Sequence, residues 1–546
     1  MTATVRLRRW QKQALDQLTN HDGRNFLAVA TPGAGKTTFA LTAARVSLAE
    51  RPTRRVVVVA PTQHLRLQWA EAAHKLGLEL EPGWSASRGV FPRDAHGVVV
   101  TYQQVATSAV ELRRCSEDAF VILDEIHHAG NERTWGDAVA VAFDEAARRL
   151  ALSGTPFRSD TNPIPFVSYR DEEASSDFTY GYNHALRDGV VRSVTFPRLD
   201  GHMEWVGADG TNHSHTFGDL LDRSRAGQRL RTALSLGGEW LPTVLRRAHE
   251  QLLIEREHQP NAGGLVIAID QEHARGIAAM MRRILNVDAV VAVSDDPDAS
   301  GTIAKFAASR VPWIVAVRMV SEGVDVPRLR VGVFATNTTT ELFFRQAVGR
   351  LVRRAPGEAD RSAHMFIPDD MRLRTYAAEI ARERTHILRR RDDDGERFVE
   401  TDPWMLAQRE RAIVEPLEQG SLFTAISAVA LDEEHTTVAA NATVADDASL
   451  VLQLGELPAP VGTQVAAEDS PIADVPRHRR RTVLRTRNRD AVLDLVQRTG
   501  LTHARVNSQL NQAAGITRIN DATIEQLEAR LREAQKWRRN ATKSKR

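Results

Sequence analysis

The residues with the most chemistry in this sequence are Thr31-Pro-Gly-Ala-Gly-Lys-Thr-Thr38. They lie between an apolar run, Phe26 to Ala30, and a helical pattern, Phe39 to Glu50. A glycine-rich turn from strand to helix offers backbone N–H groups and a positive helix end, which together wrap a polyphosphate. Gly33 and Gly35 let the backbone come close to such a ligand. Lys36 has the reach for β- and γ-phosphates, and the Thr37 hydroxyl suits Mg²⁺; Pro32, Ala34 and Thr38 complete the cradle. The pattern G-x-x-x-x-G-K-[ST] has Gly first, where Ala30 stands here. Lys is scarce in this chain, 7 residues against 65 Arg, so a Lys in this place carries more information than usual.

A second centre lies 88 residues beyond Lys36, in Phe120-Val-Ile-Leu-Asp-Glu-Ile-His-His128. An apolar strand that ends in two carboxylates suits metal-assisted phosphoryl transfer. Asp124 is placed to hold Mg²⁺ through water and Glu125 to take a proton from an attacking water. His127 and His128 have no zinc-ligand spacing with other residues, and no metal is assigned to them.

The elements that must position these residues follow from the hydrophobic pattern. Over the first 411 residues, strand-like runs alternate with amphipathic helical stretches. One series is Phe26 to Ala30, Val56 to Ala60, Val98 to Thr101, Phe120 to Leu123 and Leu150 to Ser153. Another is Leu265 to Ile269, Ala289 to Val293, Ile314 to Val317, Val331 to Ala335 and His364 to Ile367. Unbroken Val/Ile/Leu runs separated by helices predict parallel sheets covered on both faces. The reading is therefore α/β, with two tandem parallel-sheet domains at 1–165 and 261–370. A connection with accessory helices occupies 166–260 and a helical extension 371–411. An acidic, largely disordered linker is expected at 412–476 and a basic helical tail at 477–546.

Composition sets the outer bounds. The chain has 546 residues, 42% hydrophobic and 26% charged, which is globular and long enough for two or three cores. A formal net charge of +2 excludes a uniformly basic coat. Charge is instead segregated: residues 412–476 hold 11 acids and no Lys or Arg, whereas 477–546 hold 18 basic and 6 acidic residues. The lone Cys115 permits no internal disulfide. The absence of a long apolar run predicts no membrane partner and a soluble, cytoplasmic protein.

With these residues in view, the chain resembles the superfamily 2 helicases and translocases of the DExH kind, the box here being Asp124-Glu-Ile-His127. Further segments match in order over about residues 5 to 370. Arg8-Arg-Trp-Gln11 resembles the upstream glutamine motif, Ala60-Pro-Thr62 with Gln68-Trp69 motif Ia, and Val100-Thr-Tyr102 motif Ib. Ser153-Gly-Thr-Pro-Phe-Arg158 resembles motif III, Val317 to Pro327 motif V, and Gln346-Ala-Val-Gly-Arg-Leu-Val-Arg353 motif VI. The wording is most similar to type III restriction translocase subunits and XPB-like DNA helicases.

The resemblance implies two RecA-like domains with ATP and Mg²⁺ between them. Gln11 would read adenine. Gly323 and Asp325 would touch the nucleotide. Gln346 would position the water or γ-phosphate, and Arg350 and Arg353 would act as arginine fingers. Thr37 and Asp124 would hold the metal. Pro61, Thr62, Thr101 and Ser321 would meet the strand backbone, and Ser153 and Thr155 would couple it to the ATP state. The implied activity is an ATP-dependent DNA helicase or translocase. A DNA-stimulated ATPase that clamps or remodels duplex without separating strands, as a subunit of a restriction, defence or repair complex, is the alternative. RNA is a further substrate class that the same fold serves. The tail, with seven Arg between Arg477 and Arg489 and a Trp537 among basic neighbours, suggests contacts along phosphates.

Overall fold

Apolar runs with no polar break need cover on both faces, and the chain supplies it by returning a helix after nearly every strand. The computed structural model describes residues 3–86, 89–130, 133–154, 164–170, 173–207, 209–293, 299–317, 326–354, 361–392, 424–437, 450–454, 457, 475–517, 519 and 522–543. Thr155, Ser321, Gly323 and Asp325 lie outside the described residues.

The strands in chain order begin with β1 (Ala3–Leu7), β2 (Asn25–Ala30), β3 (Val56–Ala60), β4 (Leu80–Glu81), β5 (Gly97–Thr101), β6 (Phe120–Leu123) and β7 (Arg148–Ser153). A short antiparallel pair, β8 (Ser168–Arg170) and β9 (Glu173–Ser175), precedes β10 (Phe178–Tyr180). The first sheet runs β10-β2-β7-β6-β3-β5-β4 and is parallel throughout. Its register pairs Ala60 with Thr101 and Val29 with Ser153. The carboxyl ends of β2, β3, β5, β6 and β7 therefore line one edge, where open α/β sheets place ligands.

The second lobe is built on β11 (Val194–Val206), β12 (Asn212–Thr216), β13 (Gly263–Ala268), β14 (Val290–Ala292), β15 (Trp313–Ala316), β16 (Leu329–Ala335) and β17 (Ala363–Pro368). Their order is β12-β11-β17-β16-β13-β15-β14, parallel except where β12 joins β11. Two tandem α/β parallel-sheet lobes are thus present, as the hydrophobic pattern predicts.

Two expectations need correction. The span 166–260 is more than a connection: β10 extends the first sheet beside β2, and β11 is a full member of the second. β11 alternates buried and half-buried residues around Pro197, Asp200 and Gly201, so it lacks the unbroken apolar signature of its neighbours. The span 412–476 contains β18 (Thr424–Thr437), antiparallel to β11, and β19 (Leu450–Leu454), antiparallel to β1. These strands are held by backbone pairing at sheet edges and not by a core of their own, which is why composition alone reads as linker. Among the described residues, the tail forms the helices Arg477–Thr499, His503–Ala513 and Ile524–Lys543, as its expected helical character requires. Leu484, Leu495, Leu510 and Leu527 supply its small cores. Trp537 packs against the core that holds Leu495 and Leu510. Among the described residues, no helix is long and apolar enough to cross a membrane.

Candidate active site

β2 ends at Ala30, and the chain turns through Gly33 and Gly35 at φ 82° and 94° before the helix Lys36–Glu50 begins. Both angles lie where a Cβ is disfavoured, so these two glycines set the shape of the loop. The loop is held from behind by the segment before it. Arg8 Nη1 donates to the carbonyls of Gly33 and Ala34 at 3.2 and 2.7 Å, and Trp10 Nε1 donates to Ala34 at 3.1 Å. Gln11 is buried. Its Nε2 donates to Gly35 O at 2.9 Å, and its Oε1 accepts from Arg8 N at 2.7 Å. Both ends of that amide are engaged with protein, so Gln11 holds the loop in this structure rather than presenting itself to a base. Trp10 also stacks on Tyr180, with ring centroids 5.0 Å apart, which ties the loop to the strand that leads toward the second lobe.

Lys36 Nζ donates to Glu125 Oε1 at 3.0 Å and to Ala30 O at 3.2 Å. Glu125 sits at φ +46°, in the left-handed region that costs a non-glycine residue about 1–3 kcal/mol unless its surroundings hold it there. Its other oxygen accepts from Gly154 N at 3.0 Å. A Cβ on Gly154 would stand 3.1 Å from Lys36 Nζ and 3.4 Å from Glu125 Oε1, so the absence of a side chain there keeps the carboxylate accessible. Asp124 is fixed differently: Trp69 Nε1 donates to its Oδ2 at 2.8 Å, and the Tyr102 hydroxyl donates to its backbone carbonyl at 2.9 Å.

The two acids diverge electrostatically. Burial, then the Glu125 charge, pushes the Asp124 carboxyl above its usual range, against the pull of Lys36 and the Trp69 N–H. Burial opposes ionisation of Glu125 too, but Lys36, His127 and the Gly154 N–H together hold its carboxyl below the usual range. Neighbouring carboxyls pushed apart in this way are suited to separate roles.

The second lobe closes the site. A Cβ on Gly349 would come within 2.6 Å of Pro32 Cβ, so the helix Glu341–Leu351 lies directly on the phosphate loop. The Cβ position of Gly33 is 3.1 Å from Arg353 Cγ. Arg353 is mounted by a backbone bridge to Val191, and Arg192 N donates to Val352 O at 2.8 Å. Gln346 Nε2 is 3.4 Å from His127 Nε2, again across the lobes. Arg350 is buried on the same helix.

The remaining expected residues are not all brought to this point. Thr62 caps the helix Gln63–Lys75 by accepting from Leu65 N, and Pro61 beside it is half-buried. Thr101 is buried, and its hydroxyl accepts from Gln104 N as a helix cap, so it does not present itself to a strand backbone. Ser153 is fully buried at the end of β7. Arg8, Trp10, Trp69, Tyr102 and Gly154 are site residues that sequence reasoning did not single out. Each stands in a quoted motif, but its partner is fixed only by tertiary contact. The hard oxygen donors of Thr37 and Asp124 fit Mg²⁺, which keeps most of its shell as water and phosphate.

A family model described as "Type III restriction enzyme, res subunit" matches residues 4–158. A protein of Mycobacterium tuberculosis described as uncharacterized is 44% identical over 431 residues, spanning 77% of this chain and 70% of its own length. The DNA 3'-5' translocase XPB2 of Sulfurisphaera tokodaii is 26% identical over 375 residues, 65% of this chain and 80% of that protein. Among solved structures, the ATP-dependent Type ISP restriction-modification enzyme LlaBIII bound to DNA has a TM-score of 0.46 at 15% identity. It covers 70% of this chain, which spans 29% of that enzyme. The chain belongs to the superfamily 2 helicase family, in the group related to type III restriction res subunits and XPB proteins.

Proposed function

We propose that this chain hydrolyses ATP at the seam between its lobes and uses the cycle to move along, or open, DNA. The observation that carries the reading is the approach of Gly349 and Arg353 to Pro32 and Gly33. A phosphate loop from one lobe and the stem of an arginine from the other meet, so a nucleotide bound there would sense both.

The residues divide the task. Lys36 exchanges Glu125 for the β- and γ-phosphates when nucleotide enters, and the freed Glu125 carboxylate accepts a proton from the attacking water. Arg353 and Arg350 offset the charge that builds on the transferring phosphoryl, an effect worth about 10³-fold or more in related chemistry. Gln346, beside His127, orients the water or γ-phosphate. Thr37 and Asp124 would hold Mg²⁺, which when bound neutralises phosphate charge. Gly323 and Asp325 are assigned to the nucleotide, and Ser321, Pro61 and Thr62 to the nucleic-acid backbone. Hydrolysis needs the lobes together and product release lets them part, which converts turnover into stepping. The motor comprises the two lobes, 1–165 and 261–370 together with β10 in the first sheet and β11 in the second.

DNA is the favoured track because a 26%-identical relative is named a DNA translocase. The test is ATP turnover against single-stranded DNA, duplex DNA and RNA, run beside strand- and triplex-displacement assays. Stimulation by DNA supports the reading, and triplex displacement without strand separation assigns translocation alone. Stimulation by RNA only, or by no polynucleotide, contradicts it.

A further inference from the structure

Some basic residues of the C-terminal bundle are taken up in closing it and fixing it to the first sheet, and others face water. Arg481 is buried between Glu81 of β4 and Asp94, with Nη2 2.5 Å from Asp94 Oδ2. Arg479 pairs with Glu71 on the helix Gln63–Lys75. Arg477 and Arg480 reach Glu525 and Glu528 on the last helix at 3.1 and 2.7 Å. Arg530, fully buried, donates to the side-chain oxygens of Asn488, Asn507 and Asn511. These contacts close the bundle and fix it to the outer edge of the first sheet.

Other basic residues face water. Arg532, Lys536 and Arg539 are exposed on the last helix. Their spacing of four and three residues puts them on one face within about 11 Å. Arg487 and Arg489 are exposed on the first tail helix. Lys536 and Arg489 have acids nearby, Glu533 at 2.6 Å and Asp490 at 3.6 Å. Arg487, Arg532 and Arg539 show no acidic partner among the described residues. With 18 basic against 6 acidic residues in 477–546, the segment keeps a large positive excess. Like charges held on one helix face repel and cost stability, unless a polyanion neutralises them.

We infer that this exposed face grips the phosphate backbone of double-stranded DNA, as a contact separate from the ATP seam. The inference rests on DNA being the track. Its anchor supports it: Arg479 ties the bundle to the helix that begins at Thr62, a residue assigned above to the strand backbone. Duplex is favoured over single strands because single-strand grooves use aromatic platforms. Trp537 is the only aromatic residue in 477–546, and it is packed into the bundle. Guanidinium–phosphate contacts of this kind position a duplex without reading its sequence.

The test uses the full chain without ATP, binding a labelled random-sequence duplex over a range of salt. In the triple variant Arg487→Gln/Arg532→Gln/Arg539→Gln the slope of log affinity against log salt should become shallower by about 2–3 units, one counterion per lost contact. The melting temperature should not fall below the wild-type value, since all three side chains are exposed and their loss relieves like-charge repulsion. Arg282→Gln, on the second lobe beside Asp288, should keep the wild-type slope. An unchanged slope in the triple variant overturns the inference, as does an equal loss on single-stranded DNA or on an RNA hairpin. Because no ATP is present, failure of the hydrolysis reading would leave this result standing, and an unchanged slope would leave hydrolysis untouched.

Discussion

Lys36 with Glu125, and Arg481 with Glu81 and Asp94, are both cation–carboxylate clusters at edges of the first sheet. Water reaches the first: the Lys36 and Glu125 side chains are 13% and 21% exposed. It hardly reaches the second, where Arg481 and Glu81 are 4% and 3% exposed. The first lies on a glycine-built loop at the carboxyl ends of the strands, under a helix from the other lobe. The second lies on the outermost strand, β4, under a helix from the tail. The same chemical pairing thus serves two ends. An open pair can exchange partners with a ligand, whereas a sealed pair fixes one element to another and is costly to break.

Substitutions that remove the cation from each cluster sharpen the contrast. Lys36→Ala should bring ATP turnover to background and weaken nucleotide binding while leaving the melting temperature near wild type; near-normal hydrolysis would exclude the pocket. Arg481→Ala should behave in the opposite sense. Two buried carboxylates lose their cation, at about 3–5 kcal/mol, read by denaturant unfolding and by faster amide exchange over 477–499. The exposed neighbour Arg479→Ala should cost under about 1 kcal/mol, and equal costs for the two would break the distinction. A smaller effect is expected at the support of the open cluster. Trp69→Phe removes the N–H that favours charged Asp124, so the carboxyl should rise further. The acid limb of the rate profile should then move to higher pH, with a loss of about tenfold, the worth of a hydrogen bond to a charged group. An unmoved limb would mean that Trp69 only packs.

The contrast also explains what could be read in advance. β3, β5 and β6 were legible because Val56 to Ala60, Val98 to Thr101 and Phe120 to Leu123 are unbroken apolar runs, and the turn of Gly33 and Gly35 is local chemistry. β11 escaped because Pro197, Asp200 and Gly201 interrupt it, and β18 and β19 because edge pairing leaves little trace in composition. The seating of Arg8 and Trp10 on a loop some 24 residues away is a tertiary fact, as is Pro32 against Gly349. The tail arginines show the same limit. Sequence gives one long basic run, and only the fold separates Arg481, sealed against two acids, from Arg532 and Arg539 in water.

The claim that matters most is that the second lobe contributes to chemistry at the first lobe's loop. Turnover and ATP affinity measured together on Arg353→Ala test it most directly. Affinity should stay within a few fold while turnover falls about 10³-fold. Unaltered turnover, or a loss of affinity alone, would contradict an ATP site shared between the lobes.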